Sequence, residues 1–176
     1  MISSTCLVNA DTLEYIKTLP DDCIDLIATD PPYFRVKSCD WDNQWKSEAD
    51  YLAWLDALLV EFWRVLKPNG SLYMFCGSRL ASDTELLVRQ RFDVLSHIVW
   101  AKPSGAWKRQ HKEGLRAFFP ATEHIINASS RPGDVVADFF MGSGSTIKAA
   151  LRLGRIGLGV ELEKERFEQT QREIFP

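Results

Sequence analysis

Two successive prolines at the end of an apolar run constrain this chain more than any other feature. Ile24 to Ala28, broken only by Asp25, leads through Thr29 into Asp30-Pro31-Pro32-Tyr33. Such a run reads as a buried strand. Prolines lack the N–H donor and cannot continue a sheet ladder, so the strand must stop there. Pro31 also turns Asp30 away from helical angles. The Asp30 carboxylate therefore stands at the carboxyl end of a strand, on a stiff turn, with an aromatic ring three residues on. In open α/β sheets ligands bind at that edge. An acid, a fixed carbonyl and a ring can form a pocket for a planar base carrying an exocyclic amine. The same residues would also serve as a proline-stiffened turn with an exposed aspartate.

At 176 residues the chain reads as one domain with room for a proper core. A formal charge of −3 excludes a generally basic nucleic-acid binder, so any DNA contact must come from a local patch. Cys6, Cys23, Cys39 and Cys76 show neither C-x-x-C spacing nor histidine partners, and read as free thiols of a cytoplasmic protein with no metal site. No apolar run approaches the roughly 18 residues that span a bilayer, and no basic-then-apolar leader is visible, so no membrane partner is expected.

Along the chain, Leu7-Val8 reads as a short strand and Asp11 as the cap of a helix over about Thr12 to Leu19. After the Pro-Pro turn, Phe34 to Lys46 has no clean period and reads as a loop. Tyr51, Leu52, Leu55, Leu58, Leu59, Phe62, Trp63 and Leu66 recur at helical spacing up to the turn signal Pro68-Asn69-Gly70. A strand over Ser71 to Cys76, a helix over Leu80 to Arg91 and a strand over Val94 to Ala101 are expected next. The stretch from Lys102 carries Lys102, Lys108, Arg109, Lys112 and Arg116 against the single acid Glu113, with Trp107, Phe118 and Phe119 interleaved or adjacent. It suits phosphate contacts and base stacking, or a solvated loop with aromatic anchors. A helix near Glu123 to Ser129, a strand Val135 to Phe139, a helix from Thr146 to Leu153, a strand Ile156 to Val160 and a last helix Lys164 to Glu173 complete the pattern. Strands alternating with helices imply a doubly wound α/β fold with a mostly parallel sheet.

Asp138-Phe139-Phe140-Met141-Gly142-Ser143-Gly144-Ser145-Thr146 reads as strand, glycine turn and helix start. The glycines let backbone approach a ligand, and the helix start favours a negative group. No lysine follows Gly144, so a P-loop is excluded, and Ile147 replaces the third glycine of a dinucleotide fingerprint. The next strand ends in Glu161, a carboxylate suited to two ribose hydroxyls. A nucleoside bearing a carboxylate rather than a pyrophosphate fits, and S-adenosylmethionine is such a molecule. A tight βα turn with an exposed Glu161 is the plainer alternative.

With both motifs in view, the chain resembles the amino-specific DNA methyltransferases that modify adenine N6 or cytosine N4. The order, catalytic motif before cofactor motif, is that of the permuted β-type, and the flavour is that of the small methylases of phages and prophages. Leu19-Pro20-Asp21, Leu66-Lys67-Pro68-Asn69-Gly70-Ser71-Leu72, Val99-Trp100-Ala101-Lys102-Pro103 and Gly157-Leu158-Gly159-Val160-Glu161 share the likeness. The resemblance implies a Rossmann-like methyltransferase fold, with residues 1–103 as the catalytic half, 104–122 as the basic loop and 123–176 as the cofactor half. It implies transfer from S-adenosylmethionine to adenine N6, since Asp-Pro-Pro-Tyr is more typical of adenine enzymes. An N4-cytosine enzyme and a remnant that binds without turnover are the alternatives.

By the same resemblance, Asp30 and the Pro31 carbonyl accept the amine hydrogens of the target base, Pro32 stiffens the turn and Tyr33 stacks on the base, flipped from the duplex. Asp138, Phe140, Gly142, Gly144, Ser145 and Thr146 line the cofactor, and Glu161 holds its ribose. Asp11 fits a family acid near the adenine as well as it fits a helix cap. Lys102, Lys108, Arg109, Lys112 and Arg116 hold double-stranded DNA. Trp41, Asp42 and Trp45 either close over the flipped base or anchor a core. A bacterial cell is the expected setting, and a homodimer is one assembly open to the chain.

The chain departs from the family twice. Phe139 stands where proline is usual, and neither a target-recognition segment nor a His-Pro-x-x-Lys-Pro-like segment is visible. Thr122-Glu123-His124-Ile125-Ile126 resembles both the strand before the missing part and the helix after it. The expectation is an internal deletion fused at this string, with loss of an edge element from the sheet.

Overall fold

The computed structural model describes residues 2–34, 44–99 and 118–175. Five strands, β1 (Cys6–Asn9), β2 (Ile24–Thr29), β3 (Leu66–Met74), β4 (Val135–Asp138) and β5 (Ile156–Glu161), form one sheet in the order β1-β5-β4-β2-β3. Every neighbouring pair is parallel. The helices are α1 (Thr12–Ile16), α2 (Glu48–Val65), α3 (Ala81–Val88), α4 (Phe118–Ser129), α5 (Ser145–Arg152) and α6 (Lys164–Ile174), with a short 3-10 turn at Ser78–Leu80.

Strand alternation sends side chains to two cores. Ile24, Ile27, Val135, Ala137, Leu158 and Val160 pack with Ile16, Leu55, Leu58, Leu59 and Phe62 under α1 and α2. Leu26 and Val136 point the other way, against Ile126 of α4 and Ala149 and Ala150 of α5. The sheet is therefore covered on both faces, as a parallel sheet requires.

The winding reverses between two strands. From β2 the chain moves outward to β3, and from β4 it moves outward in the opposite sense to β5. The seam between β2 and β4 is the topological switch point, and ligand crevices form at its carboxyl end. The seam is short, pairing only Leu26 with Val136 and Ile27 with Ala137. Asp25, the one interruption of the apolar run, ties its lower end. Its carboxylate accepts from Lys67 at 2.7 Å and from the Val135 amide at 2.9 Å.

Two expectations need correction. The helix before Pro68 starts earlier than the apolar period suggested, because Ser47 and Asp50 form a reciprocal capping box. Extended backbone then begins at Leu66 rather than after Gly70. Pro68-Asn69-Gly70 form a bulge in β3, where partner residues jump from Leu66 to Ser71 while β2 advances only from Ile24 to Leu26.

The second correction concerns Val94 to Ala101. Residues 94–99 are not a strand, and the rest lie outside the described residues. Leu95, Ile98 and Val99 are 94%, 72% and 87% exposed. A strand exists only with a ladder partner, and among the described residues none lies beyond β3. Thr122 to Ile126, which matched both strand and helix, is helix α4.

Phe139 also has a clear reason. It is fully buried and stacks on Phe62 of α2 with ring centroids 5.2 Å apart. Phenylalanine there fills core volume between the helix and the end of β4. Truncation of Phe62 to alanine is expected to lower unfolding free energy by about 3–5 kcal/mol, measured by urea denaturation. A loss below about 1 kcal/mol would show that this stack does not brace the sheet.

Candidate active site

The carboxyl ends of β2 and β4 bring the two sequence motifs together. Asp30 follows β2 and is exposed, while Thr29 and Pro31 on either side are buried. The Tyr33 hydroxyl donates to the Asp30 carboxylate. Burial and this carboxylate both push the phenol up, so Tyr33 stays protonated. Phe34 turns inward, only 4% exposed, and anchors the end of the turn.

Phe34 joins an aromatic floor that runs beneath both motifs. Its ring lies 5.9 Å from Tyr51, Tyr51 lies 4.9 Å from Trp45, and Trp45 lies 4.8 Å from Trp54. Trp54 in turn meets Phe140 edge-on at 5.9 Å. Trp45 is 8% exposed and belongs to this floor, which decides for the anchoring role. Trp41 and Asp42 lie outside the described residues.

The glycine turn is shaped by its own backbone and by α6. Gly142 and Gly144 have φ of 50° and 71°, left-handed values that favour glycine. A Cβ at Gly144 would lie 2.6 Å from Thr170 Cγ2, so α6 can approach only a glycine. Thr170 also donates to the Gly142 carbonyl at 2.8 Å. Met141 is held to β5 through its amide and the Val160 carbonyl at 2.9 Å. Helix α5 starts at Ser145, and no side chain caps its first N–H groups.

Glu161 ends β5 beside this turn. One carboxylate oxygen accepts from the Gly142 amide at 3.0 Å and the other from the Glu163 amide at 2.8 Å. Each oxygen has lone-pair capacity left for a further donor. Asp11 stands on the same edge, since the Ala10 amide bonds to the Glu161 carbonyl. Its side chain accepts from the Glu14 amide at 3.1 Å, capping α1. A carboxylate, an uncapped helix start and the half-buried Phe140 ring form a donor and acceptor set that fits a nucleoside carrying an amino-acid carboxylate.

Asp138 and Thr146 face inward, at 5% and 4% exposure. Asp138 Oδ1 accepts from Thr29 Oγ1 at 2.8 Å and from the Phe140 amide at 3.2 Å, and Thr146 also bonds to this carboxylate. Burial pushes the carboxyl up to about 6; the bonds from Thr146, Thr29 and the Phe140 amide oppose that rise, and the nearby Asp30 charge adds to it.

Sequence reasoning missed four supporting residues. They are Thr29, Thr170, Trp54 and Thr12, whose hydroxyl donates to the Phe139 carbonyl at 2.5 Å. Thr29 had a readable signal, a hydroxyl at the last position of an apolar strand. Lys102, Lys108, Arg109, Lys112 and Arg116 lie outside the described residues.

A family model for N6/N4 DNA methylase matches this chain over residues 24–122 and again over 119–172. Type II methyltransferase M.HpaI of Haemophilus parainfluenzae is 25% identical, across 96% of this chain and 73% of its own length. That alignment runs over 230 positions, more than the 176 residues of the whole chain. DNA adenine methyltransferase YhdJ of Escherichia coli is also 25% identical, across 96% of this chain and 82% of its own. Among solved structures, the TTHA0409 DNA modification methylase of Thermus thermophilus, complexed with S-adenosyl-L-methionine, superposes with a TM-score of 0.67 at 24% identity, covering 95% of this chain and 93% of its own. The cytosine-N4-specific PvuII DNA methyltransferase gives 0.67 at 16% identity, covering 98% and 88%.

The raised Asp138 carboxyl has a signed consequence. Its folded value lies above the ordinary aspartate value, so folding favours the protonated form. That contribution is complete below about pH 4 and is lost as the pH rises through about 6. Asp138→Asn cannot ionise, and is expected to gain on the wild type by up to about 3 kcal/mol between about pH 4 and pH 7. Urea unfolding of both proteins at the two pH values checks this. An unchanged difference would mean that the carboxyl ionises normally.

Proposed function

The chain belongs to the N6/N4 DNA methylase family, and from that premise we propose that it methylates the exocyclic N6 of adenine in DNA, using S-adenosylmethionine. The observation that carries this reading is the convergence of Asp30 and the Phe140 glycine turn at one switch point, joined through Thr29 and Asp138 at 2.8 Å. The name of the Escherichia coli relative supports adenine as the base.

S-adenosylmethionine, when bound, supplies an electrophilic methyl group on a sulfonium, so no metal is needed for activation. Phe140 and the backbone at Gly142 and Gly144 line its site, with Ser145 at the helix start, Glu161 on the ribose and Asp11 near the adenine. Asp138 and Thr146 brace this turn from within. An exocyclic amine is a poor nucleophile, because its lone pair is delocalised into the ring. Asp30 and the Pro31 carbonyl accept its two hydrogens and favour a pyramidal nitrogen, on a turn that Pro32 keeps rigid. Tyr33 stacks on the flipped base. Positioning and fixed charge supply the remaining rate. Lys102, Lys108, Arg109, Lys112 and Arg116 grip the duplex backbone.

The chain is also proposed to be an internally shortened member. The family match is in two stretches that overlap at residues 119–122, and the M.HpaI alignment is longer than the chain. Both support a segment present in relatives and missing here. This gives weight to the second reading, a protein that binds cofactor or DNA without turnover. The third reading, methylation of cytosine N4, draws support from the fold shared with the PvuII enzyme.

Labelled methyl transfer to unmethylated duplex DNA, followed by nucleoside analysis, separates these readings. The expected product is N6-methyladenine, reduced by at least about 100-fold in Asp30→Ala. Label in N4-methylcytosine would reassign the base. A folded protein that transfers nothing, yet is stabilised by S-adenosylmethionine in thermal melts, would favour the binding remnant.

A further inference from the structure

We propose that Thr29 and Asp138 form a positioning pair that sets the distance between the amine-accepting carboxylate of Asp30 and the cofactor turn at Phe140. This rests on the methyltransferase reading and adds to it two residues that would act without touching base or donor.

Thr29 is anchored outward to β3, pairing with Met74 and accepting the Phe75 amide at 3.1 Å. Asp138 is anchored outward to β5, pairing with Gly159. Between the two halves, the backbone ladder of β2 and β4 ends at Ile27 and Ala137. The Thr29–Asp138 hydrogen bond lies above that last rung, and each residue next borders a motif. Asp30 follows Thr29 directly, and Asp138 Oδ1 also holds the Phe140 amide. One carboxylate oxygen therefore joins the Thr29 hydroxyl, next to Asp30, to the Phe140 amide.

The pair is dry, with Thr29 at 2% and Asp138 at 5% exposure. A buried hydrogen bond of this kind is costly to leave unmade, because no water replaces the lost partner. In-line transfer between two bound groups is sensitive to misplacement of about 1 Å. A tie at the seam governs that separation, whereas the outer strands do not.

Thr29→Val is the test, since valine keeps the branched shape and removes only the hydroxyl. It is expected to lower kcat by about 10- to 100-fold, with KM for cofactor and DNA within about 2-fold. Thr29→Ser retains the donor hydroxyl, and is expected to stay within about 3-fold of wild type. Asp138→Ala combined with Thr29→Val should lose no more than Asp138→Ala alone, the non-additivity of a shared contact. Hydrogen exchange at the Phe140 amide reads the tie without turnover, and should accelerate in Thr29→Val.

Wild-type kcat in Thr29→Val, or an effect confined to KM, would overturn the pair. If the wild-type chain transfers no methyl group, the functional reading fails separately. Exchange at Phe140 then decides the tie: acceleration in Thr29→Val keeps it, and unchanged exchange overturns it.

Discussion

The seam between β2 and β4 is the constraint on which the rest of the structure depends. A sheet wound in two directions must leave a cleft where the direction reverses, and here that place has only two backbone register pairs. Carboxylates complete the join at both ends, one half-buried and one buried. Asp25 links β2 to Lys67 and to the Val135 amide at the lower end, and Asp138 links Thr29 to the Phe140 amide at the upper end. Desolvating a carboxylate is unfavourable, and the observed pairing offsets that cost. The cleft thus opens toward solvent above a seam that cannot spread.

Helix α2 makes the cleft rigid from one face. Its N-terminal turns supply Tyr51 and Trp54 to the aromatic floor, and its later turns supply Leu55, Leu58, Leu59 and Phe62 to the core. Phe34 after the Pro-Pro turn and Phe140 before the glycine turn rest on opposite ends of that floor. The capping box at Ser47 fixes where the helix begins, and so places Tyr51 and Trp54 below both motifs. Tilted and edge-on ring contacts of this kind add specific geometry to simple burial. The other face depends on small residues. Gly144 admits α6 against the glycine turn, and Gly159 leaves room for Met141, whose sulfur would lie 2.4 Å from a Cβ there.

What was legible in the sequence follows the range of the forces involved. Strands β2, β4 and β5 were readable because burial on both faces writes a continuous apolar run. The two motifs were readable because proline and glycine restrict backbone locally, whatever lies around them. The inward role of Asp138 was not readable, since its partner Thr29 is 109 residues away. Nor was the absence of a strand over residues 94–99. Their apolar and β-branched residues suit a strand, but strand formation depends on a neighbouring edge, and no local pattern reports whether that edge is filled. Asp11 shows the limit from the other side, because one carboxylate on the cofactor edge satisfies a helix cap and leaves its second role to experiment.

The proposed internal deletion acts on this layout unequally. Its junction at residues 119–122 falls in α4, just after the basic stretch and before the cofactor half. Strands β4, β5 and β1 lie on the far side of the seam from β3, the outermost strand among the described residues. The cofactor turn is braced by α6, by Glu161 and, through Trp54, by the aromatic floor. Asp30 is one strand away from β3, held by the seam and by Phe34. Loss of a segment between the two halves would remove surface where a duplex is read, while Asp30 and the cofactor turn keep the strands that carry them. Since backbone phosphate contacts supply affinity and base contacts supply sequence choice, such a chain would lose discrimination before it lost chemistry.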